Sequence, residues 1–197
     1  TTVENPCTEY DPAIGLMSRK APGIQENGGV YLHASAFKLV ADCLLKNHAA
    51  VERTLNEMLP FDRDSEPYVF CNGYYALQNS YRYNQSGQSW GTGTAGWFYT
   101  ALLYYVFGLR PTADGLQIDP CLPPSWQKCQ STRHLRGATY HVSYEQREDA
   151  NGCIITLDGQ LVQGAILPCE SGKTYLVTVV IGVFDVVLLM SVVILLM

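Results

Sequence analysis

The sequence predicts a mainly α-helical region followed by a small antiparallel β region, and three observations carry this prediction. Apolar residues recur about every 3.6 residues between positions 30 and 59. A long apolar stretch follows a glycine-rich turn at positions 97–107. From Leu109 onward, prolines and short alternating runs replace the helical pattern. The predicted segments are a helical part at 1–108, a β part at 109–182 and an apolar tail at 183–197.

Composition excludes several classes of protein. The chain has 197 residues, 47% hydrophobic and 16% charged, which excludes a disordered segment. The net charge is −5, and the sequence shows no excess of basic residues, so nucleic acid is not expected as a partner. The seven cysteines show neither CxxC nor Cys/His metal spacing, so we expect no metal and no other cofactor. Their odd number and scatter favour reduced thiols in a cytoplasmic protein.

The first element expected is an irregular loop over residues 1–29, because proline and glycine punctuate it throughout. It ends in the run Gln25-Glu26-Asn27-Gly28-Gly29. One carboxylate and two amides could bind sugar hydroxyls here. Alternatively, the Asn-Gly pair forms an ordinary surface turn.

Two helices are expected next, over Val30–His48 and over Ala50–Leu59, where Pro60 ends the second. His33 lies one turn into the first helix, directly after the polar loop. Its position at a helix N-terminus suits a ligand-binding side chain, whereas a packed or surface histidine remains the alternative.

Aromatic residues are dense between positions 61 and 84, and Asn72, Gln78 and Asn84 lie in the same segment. Tyrosine rings stack on the C–H faces of sugars while their hydroxyls form hydrogen bonds, so this composition suits a carbohydrate cleft. Packing between helices explains the same residues equally well.

The stretch from Gln85 to Gly96 is small and polar, and it leads into the apolar run Trp97–Phe107. Glycines let the backbone approach a ligand, and the start of a helix presents N–H groups to an anion. The pattern therefore predicts an anion or sugar site. The alternative is a turn into a buried helix, capped by Thr92 or Thr94.

In the β part, alternating runs and the turn dipeptides Asn151-Gly152 and Asp158-Gly159 predict hairpin-linked strands. The expected strands are Gly115–Asp119, Thr139–Gln146, Cys153–Leu157, Gln160–Leu167 and Thr174–Ile181.

The end of the chain, Leu176–Met197, is apolar over 22 residues and contains one charged residue, Asp185. This length could span a bilayer. However, its first third also suits a strand, and a mid-span carboxylate costs about 3 kcal/mol on insertion. We favour an aberrant apolar tail over a membrane anchor.

Four stretches in order resemble one known family: PGIQENGGVYLHASAFKLVADCLL, EPYVF, YNQSGQSWGTGTAGWFY, and GLRPTADGLQIDPCLPPSW followed by RGATYHV. They are similar to the C-terminal half of the cellobiose and chitobiose phosphorylases, glycoside hydrolase family 94. The resemblance implies that residues 1–108 form part of an (α/α)6 barrel and that residues 109–182 form a C-terminal β domain.

The resemblance also implies an activity. Enzymes of this family are inverting phosphorylases, in which inorganic phosphate is a co-substrate that attacks the anomeric carbon of a β-linked disaccharide or short oligosaccharide. A carboxylic acid protonates the leaving oxygen, and the products are an α-sugar 1-phosphate and a shortened acceptor. Phosphate is already an anion, so it needs positioning more than it needs a general base.

The resemblance also implies roles for individual residues, by their positions in these motifs. His33 matches the histidine that contacts phosphate, and Thr92 and Gly93 match the hydroxyl and backbone N–H that hold its other oxygens. Glu26 matches a carboxylate of the sugar subsite, and Gln88 is a weaker candidate for the same cleft. Gly91 stands where the family leads us to expect a larger side chain.

The Asp-Trp-Asn-Asp-like stretch that carries the family's general acid is missing, since Trp occurs only at positions 90, 97 and 126, never beside Asp. We therefore expect the acid in an upstream half of the same enzyme, and this chain alone to be inactive. A homodimer also fits the family.

Two alternatives remain open at this point. The first is a non-catalytic carbohydrate-binding or structural remnant, tethered by the apolar tail. The second is a hydrolase, in which Glu66 would position the attacking water.

Overall fold

The computed structural model describes residues 6–59, 69–77, 81–87 and 91–182. The chain divides into two compact units, Thr1–Val106 and Phe107–Met197. Gln88, Glu66 and the apolar tail at 183–197 lie outside the described residues.

The first unit begins with loop structure and then forms its helices. A 3₁₀ helix occupies Gly15–Arg19, followed by α1 (Leu32–Leu44), α2 (His48–Met58) and α3 (Thr94–Ala101), which continues as a π-helical segment, Leu102–Val106. The side chain of Asn47 caps α2 by accepting a hydrogen bond of 3.1 Å from the N–H of Ala50. The apolar faces of α1 and α2 bury Leu39 and Val51 completely.

A small antiparallel sheet joins three distant segments of this unit. Its strands are β1 (Val30–Tyr31), β2 (Gly73–Tyr74) and β3 (Ser86–Gly87), in that order. A Cβ atom at Gly73 would overlap the carbonyl oxygen of Val30, so only glycine permits this close approach. The sheet places the beginning of the glycine-rich stretch, in β3, one strand away from β1, which leads into α1.

The second unit is built from strands. In chain order they are β4 (Leu109–Pro111), β5 (Leu116–Ile118), β6 (Lys128–Leu135), β7 (Ala138–Arg147), β8 (Cys153–Leu157), β9 (Gln160–Leu161), β10 (Ile166–Leu167) and β11 (Thr174–Gly182). One sheet has the order β10-β5-β4, and the other has the order β6-β7-β11-β8-β9. Alternate residues of β7 and β11, including Tyr140, Tyr144 and Val179, form the core of this unit.

The predicted mainly α-helical fold class is wrong, and so is the partial (α/α)6 barrel. Helices account for 26% of the described residues and strands for 31%, with three α-helices within those residues. The physical reason is that strands build the second unit, and within the first unit the segments around 73–74 and 86–87 also form strands where a helical barrel needs helices. The loop over residues 6–29 is largely non-helical, as its prolines and glycines predict.

The description of the β part as antiparallel also requires correction. β11 pairs with β7 in parallel, from Thr174 opposite Thr139 to Gly182 opposite Arg147, while its other edge pairs with β8 in antiparallel fashion. The five-stranded sheet is therefore mixed. Both β7 and β11 bury alternate residues, and this pattern is compatible with either direction of pairing.

Candidate functional site

The N-terminus of α3 is the feature around which the candidate site is built. Gly93 occupies the position before the first helical residue, with φ −87° and ψ 5°, and its carbonyl accepts a 3.0 Å hydrogen bond from the N–H of Trp97. The first N–H groups of a helix have no acceptor within the helix, and the helix dipole places partial positive charge there. This turn can therefore bind an anion.

Two threonine hydroxyls organise the same turn. The Oγ1 atom of Thr92 accepts a 3.1 Å hydrogen bond from the N–H of Thr94, and the two hydroxyl oxygens lie 2.7 Å apart. When Thr94 donates the shared proton, Thr92 accepts two hydrogen bonds and keeps its own proton for a ligand. Thr92 thus satisfies one N–H of α3 and can donate to an anion.

His33 lies in the first turn of α1 and faces the start of α3. A Cβ atom built at Gly93 would be 3.4 Å from Cε1 and 3.6 Å from Nε2 of the imidazole. His33 is half-buried. The structure thus brings His33 and Gly93 together from positions sixty residues apart, with Thr92 next to Gly93 in the chain.

Glu26 and Asn27 are neighbours on the loop before α1, but they have different roles. Asn27 is fully buried; its Oδ1 accepts from the N–H of Cys7 at 2.7 Å, and its Nδ2 donates to the carbonyls of Cys7 at 2.9 Å and Lys20 at 2.7 Å. Its amide is used to hold the loop together, so it is not available to a sugar. The next residue, Gly28, has φ 90°, which glycine adopts without strain.

Glu26, by contrast, is 64% exposed and forms an ion pair with Lys20. The hydrogen bond from Lys20 holds the pKa of the Glu26 carboxyl below its usual value. The carboxylate is therefore ionised at neutral pH and can accept hydrogen bonds from hydroxyl groups. A pairing across a loop leaves no periodic signal in the sequence, so Lys20 could not be predicted as the partner of Glu26.

The aromatic residues before the glycine-rich stretch divide into two groups. Phe70 packs on Phe98 with ring centroids 4.7 Å apart, and Tyr74 is buried. Tyr81 and Tyr83 are exposed, and the guanidinium of Arg82 donates hydrogen bonds to the hydroxyls of Tyr81 and Tyr75. Packing therefore explains the first group, whereas the exposed tyrosines remain candidates for stacking on a sugar.

Gly91 has space around it. A Cβ atom at this position would meet no atom within 4 Å among the described residues. Among those residues, crowding does not explain glycine at this position.

No group of three or more His, Cys, Asp and Glu side chains that could hold a metal ion occurs among the described residues. Within the same residues, none of the helices combines the length and the hydropathy that crossing a membrane requires. All seven cysteines lie in the described part and are free thiols.

Comparison with known proteins identifies the family. The model of the glycosyl hydrolase 94 superfamily catalytic domain matches residues 2–108, more than half of the chain. The chain is 37% identical to a 3-O-beta-D-glucopyranosyl-beta-D-glucuronide phosphorylase and 35% identical to a solabiose phosphorylase, both from Paenibacillus borealis. Each alignment covers 90% of this chain and 24% of the relative.

A third relative is an N,N'-diacetylchitobiose phosphorylase from Vibrio proteolyticus, which is 30% identical over 86% of this chain and 22% of its own length. The chain therefore spans about a quarter of the length of the relatives it matches. These matches confirm the resemblance carried by the ENGG and Trp-Gly-Thr-Gly motifs, and the chain belongs to the glycosyl hydrolase 94 superfamily as a phosphorylase-like member.

Proposed function

We propose that this chain is part of an inverting glycoside phosphorylase and supplies phosphate contacts through His33, Thr92 and Gly93. One observation carries the proposal: the Cε1–Nε2 edge of His33 faces Gly93 at the N-terminus of α3. In this proposal a side-chain N–H of His33, the hydroxyl of Thr92 and backbone N–H groups of the turn bind the same phosphate. Three different kinds of donor suit the several oxygens of one phosphate.

The proposed reaction is the attack of inorganic phosphate on the anomeric carbon of a β-linked disaccharide or short oligosaccharide. The bond to the leaving oxygen breaks, a carboxylic acid protonates that oxygen, and the product is an α-sugar 1-phosphate. The residues of this chain would orient the nucleophile, which is the main requirement for an anion that is already ionised. We assign the general acid to a segment outside these 197 residues.

Glu26 and Gln88 are proposed as contacts to the sugar. The support for Glu26 is its ionised, exposed carboxylate, which lies on the loop that leads through β1 into α1. In this proposal a sugar hydroxyl donates to one carboxylate oxygen while Lys20 stays paired with the carboxylate. Gln88 belongs to the same proposal by its motif position alone.

The exposed tyrosines at 81 and 83 favour one competing function, sugar binding without catalysis. The two functions differ in their dependence on phosphate. A binding module would hold the sugar equally well with and without phosphate, whereas a phosphorylase binds both and releases sugar 1-phosphate.

The test is His33→Ala in the natural polypeptide that carries this sequence. We expect phosphate affinity to fall about tenfold or more, since a hydrogen bond to a charged group is removed, while sugar affinity changes little. Both dissociation constants are measured by calorimetric titration. His141→Ala is the matched control, because His141 is an exposed histidine of the second unit. An equal loss of both affinities would contradict the role given to His33.

A further inference from the structure

The imidazole of His33 lies among three aromatic side chains. Its centroid is 5.5 Å from that of Phe37 with an angle of 24° between the planes, which is a stacked arrangement. The ring of Trp97 lies 6.3 Å from His33 and 4.9 Å from Phe37. Tyr31 meets His33 edge-on at 5.9 Å. The four side chains form one contiguous cluster, which we call the His33 cluster.

The helices explain why these rings meet. His33 and Phe37 are four residues apart on α1, so their side chains project from the same face. Trp97 follows Gly93 by four residues, and its N–H donates to the Gly93 carbonyl. The first turn of α3 therefore places the Gly93 backbone against one edge of the imidazole and the indole beside the ring.

These rings are not ordinary core residues. Phe37 is 49% exposed and Trp97 is 47% exposed. Each ring is therefore only about half buried, and part of the buried surface is in contact with the other ring and with the imidazole. An aromatic pair on a surface gains little from burial alone, but the stacking restricts the rotation of both partners.

We propose that Phe37 and Trp97 are positioning residues that hold the imidazole of His33 with its Cε1–Nε2 edge toward Gly93. This inference rests on the proposed function of His33 in phosphate binding. Without the two rings, the half-exposed imidazole would populate other rotamers, and binding an anion would have to select one of them. Fixing the ring beforehand removes this entropic cost from phosphate binding.

The test uses the natural polypeptide and compares Phe37→Leu and Trp97→Leu with Phe37→Tyr. The leucine variants remove a ring and keep an apolar side chain, whereas tyrosine keeps the ring and can place its hydroxyl in water. Tyr99→Leu is the matched control, because Tyr99 is a 62% exposed aromatic residue on the same helix as Trp97. Thermal unfolding of each variant reports whether it is folded.

Two quantities are measured. The first is the dissociation constant of inorganic phosphate, which we expect to rise about three- to tenfold in each leucine variant and to stay unchanged in Phe37→Tyr and Tyr99→Leu. The second is the ¹H–¹³C resonance of His33 Cε1, assigned by its loss in His33→Gln. This resonance should move in the leucine variants, since the ring current of the removed aromatic group is lost.

A combined His33→Gln, Phe37→Leu variant completes the cycle. If Phe37 acts through His33, the second substitution costs no further phosphate affinity once His33 is absent. If His33→Gln weakens phosphate binding while both leucine variants leave it unchanged, the positioning role is overturned and the proposed function stands. If His33→Gln itself leaves phosphate binding unchanged, the proposed function fails, and the positioning role fails with it.

Discussion

The imidazole of His33 faces the α-carbon of Gly93 across a gap that one methyl group would fill. A Cβ atom at Gly93 would lie 3.4 Å from Cε1 of His33 and 3.3 Å from Cδ1 of Trp97. Both distances are at the tight end of van der Waals contact. Glycine at position 93 therefore lets the imidazole edge lie against the backbone of the turn without these tight contacts.

Gly93→Ala should weaken phosphate binding without much loss of stability. The φ of −87° at Gly93 suits alanine, so the backbone is not strained. The added methyl group, however, crowds the imidazole, and we expect phosphate affinity to fall about three- to tenfold, or about 1 kcal/mol. Titration with phosphate and thermal unfolding measure the two effects.

Gly91→Ala is the control for this substitution, since its Cβ would meet no atom of the described residues within 4 Å. Its phosphate affinity should match that of the unchanged protein. If the two alanine variants lose phosphate affinity equally, the effect comes from stiffening the turn and not from the contact with His33.

Thr92→Val and Thr92→Ser separate the two uses of the Thr92 hydroxyl. Valine keeps the shape but removes both the bond to the Thr94 N–H and the donor to phosphate. We expect a loss of about 1 kcal/mol in the free energy of unfolding, the usual net contribution of one hydrogen bond, together with weaker phosphate binding. Serine keeps the hydroxyl and should retain both properties, measured by urea unfolding and phosphate titration.

Thr94→Val provides a comparison, because Thr94 is fully buried and its hydroxyl bonds to Thr92. Phosphate affinity should fall less in this variant than in Thr92→Val. The reverse order would show that Thr94, and not Thr92, supplies the donor to the anion.

Asn27→Ala should destabilise the first unit through its loop. The substitution removes three hydrogen bonds and leaves the Cys7 N–H and the carbonyls of Cys7 and Lys20 without this partner. We expect the free energy of unfolding to fall by about 3 kcal/mol, measured by urea denaturation. Glu26→Gln, at the neighbouring exposed position, should cost little stability. Similar losses in both variants would contradict the structural role of Asn27.

Much of the local structure could be predicted from the sequence. The sequence predicts a helix over Val30–His48, and α1 occupies Leu32–Leu44. The predicted strand Cys153–Leu157 agrees with β8 at both ends. Strand β6 could not be predicted, because its residues Lys128–Leu135 are mostly polar and only half-buried on one side. Such an edge strand is defined by its partner β7 and not by a pattern of its own.

The parallel pairing of β11 with β7 could not be predicted for a different reason. Alternation of apolar residues shows which face of a strand is buried, but it does not show which strand lies beside it or in which direction. The meeting of His33 with Gly93 could be predicted only through the family resemblance, which assigns both residues to one phosphate. By residue pattern alone, each motif suggests a ligand site separately. The sheet β1-β2-β3 together with α1 and α3 brings the two motifs close together.

The role of Asn27 could have been anticipated in part. The sequence presented Gln25, Glu26 and Asn27 as equivalent polar side chains before two glycines. An asparagine beside a glycine with positive φ often forms hydrogen bonds to nearby backbone groups. The alternative interpretation of this run, a turn formed by the Asn-Gly pair, is of that kind. The partners at Cys7 and Lys20 are set by the path of the whole loop, which residue spacing does not encode.

The final prediction concerns alkaline pH and Tyr144 in the second unit. The hydroxyl of Tyr144 donates a 2.8 Å hydrogen bond to the Phe107 carbonyl, and the side chain is only 2% exposed. Burial raises the pKa of this phenol far above its usual value, with smaller contributions from Cys129 and Cys153. Above about pH 10 the unfolded chain loses a proton that the folded state keeps, so the stabilisation by Tyr144 is present below about pH 10 and declines above it.

Tyr144→Phe should therefore behave differently on the two sides of pH 10. Below it, loss of the hydrogen bond should lower the free energy of unfolding by about 1 kcal/mol. Above it, the decline of that free energy with pH should be shallower by about 1.4 kcal/mol per pH unit, because one titrating group is missing. Urea unfolding at a series of alkaline pH values measures the slope. Tyr99→Phe is the control, because it changes an exposed tyrosine, and it should keep the slope of the unchanged protein. If the slope of Tyr144→Phe equals that of this control, the Tyr144 phenol titrates alike in the folded and unfolded states, and the prediction is wrong.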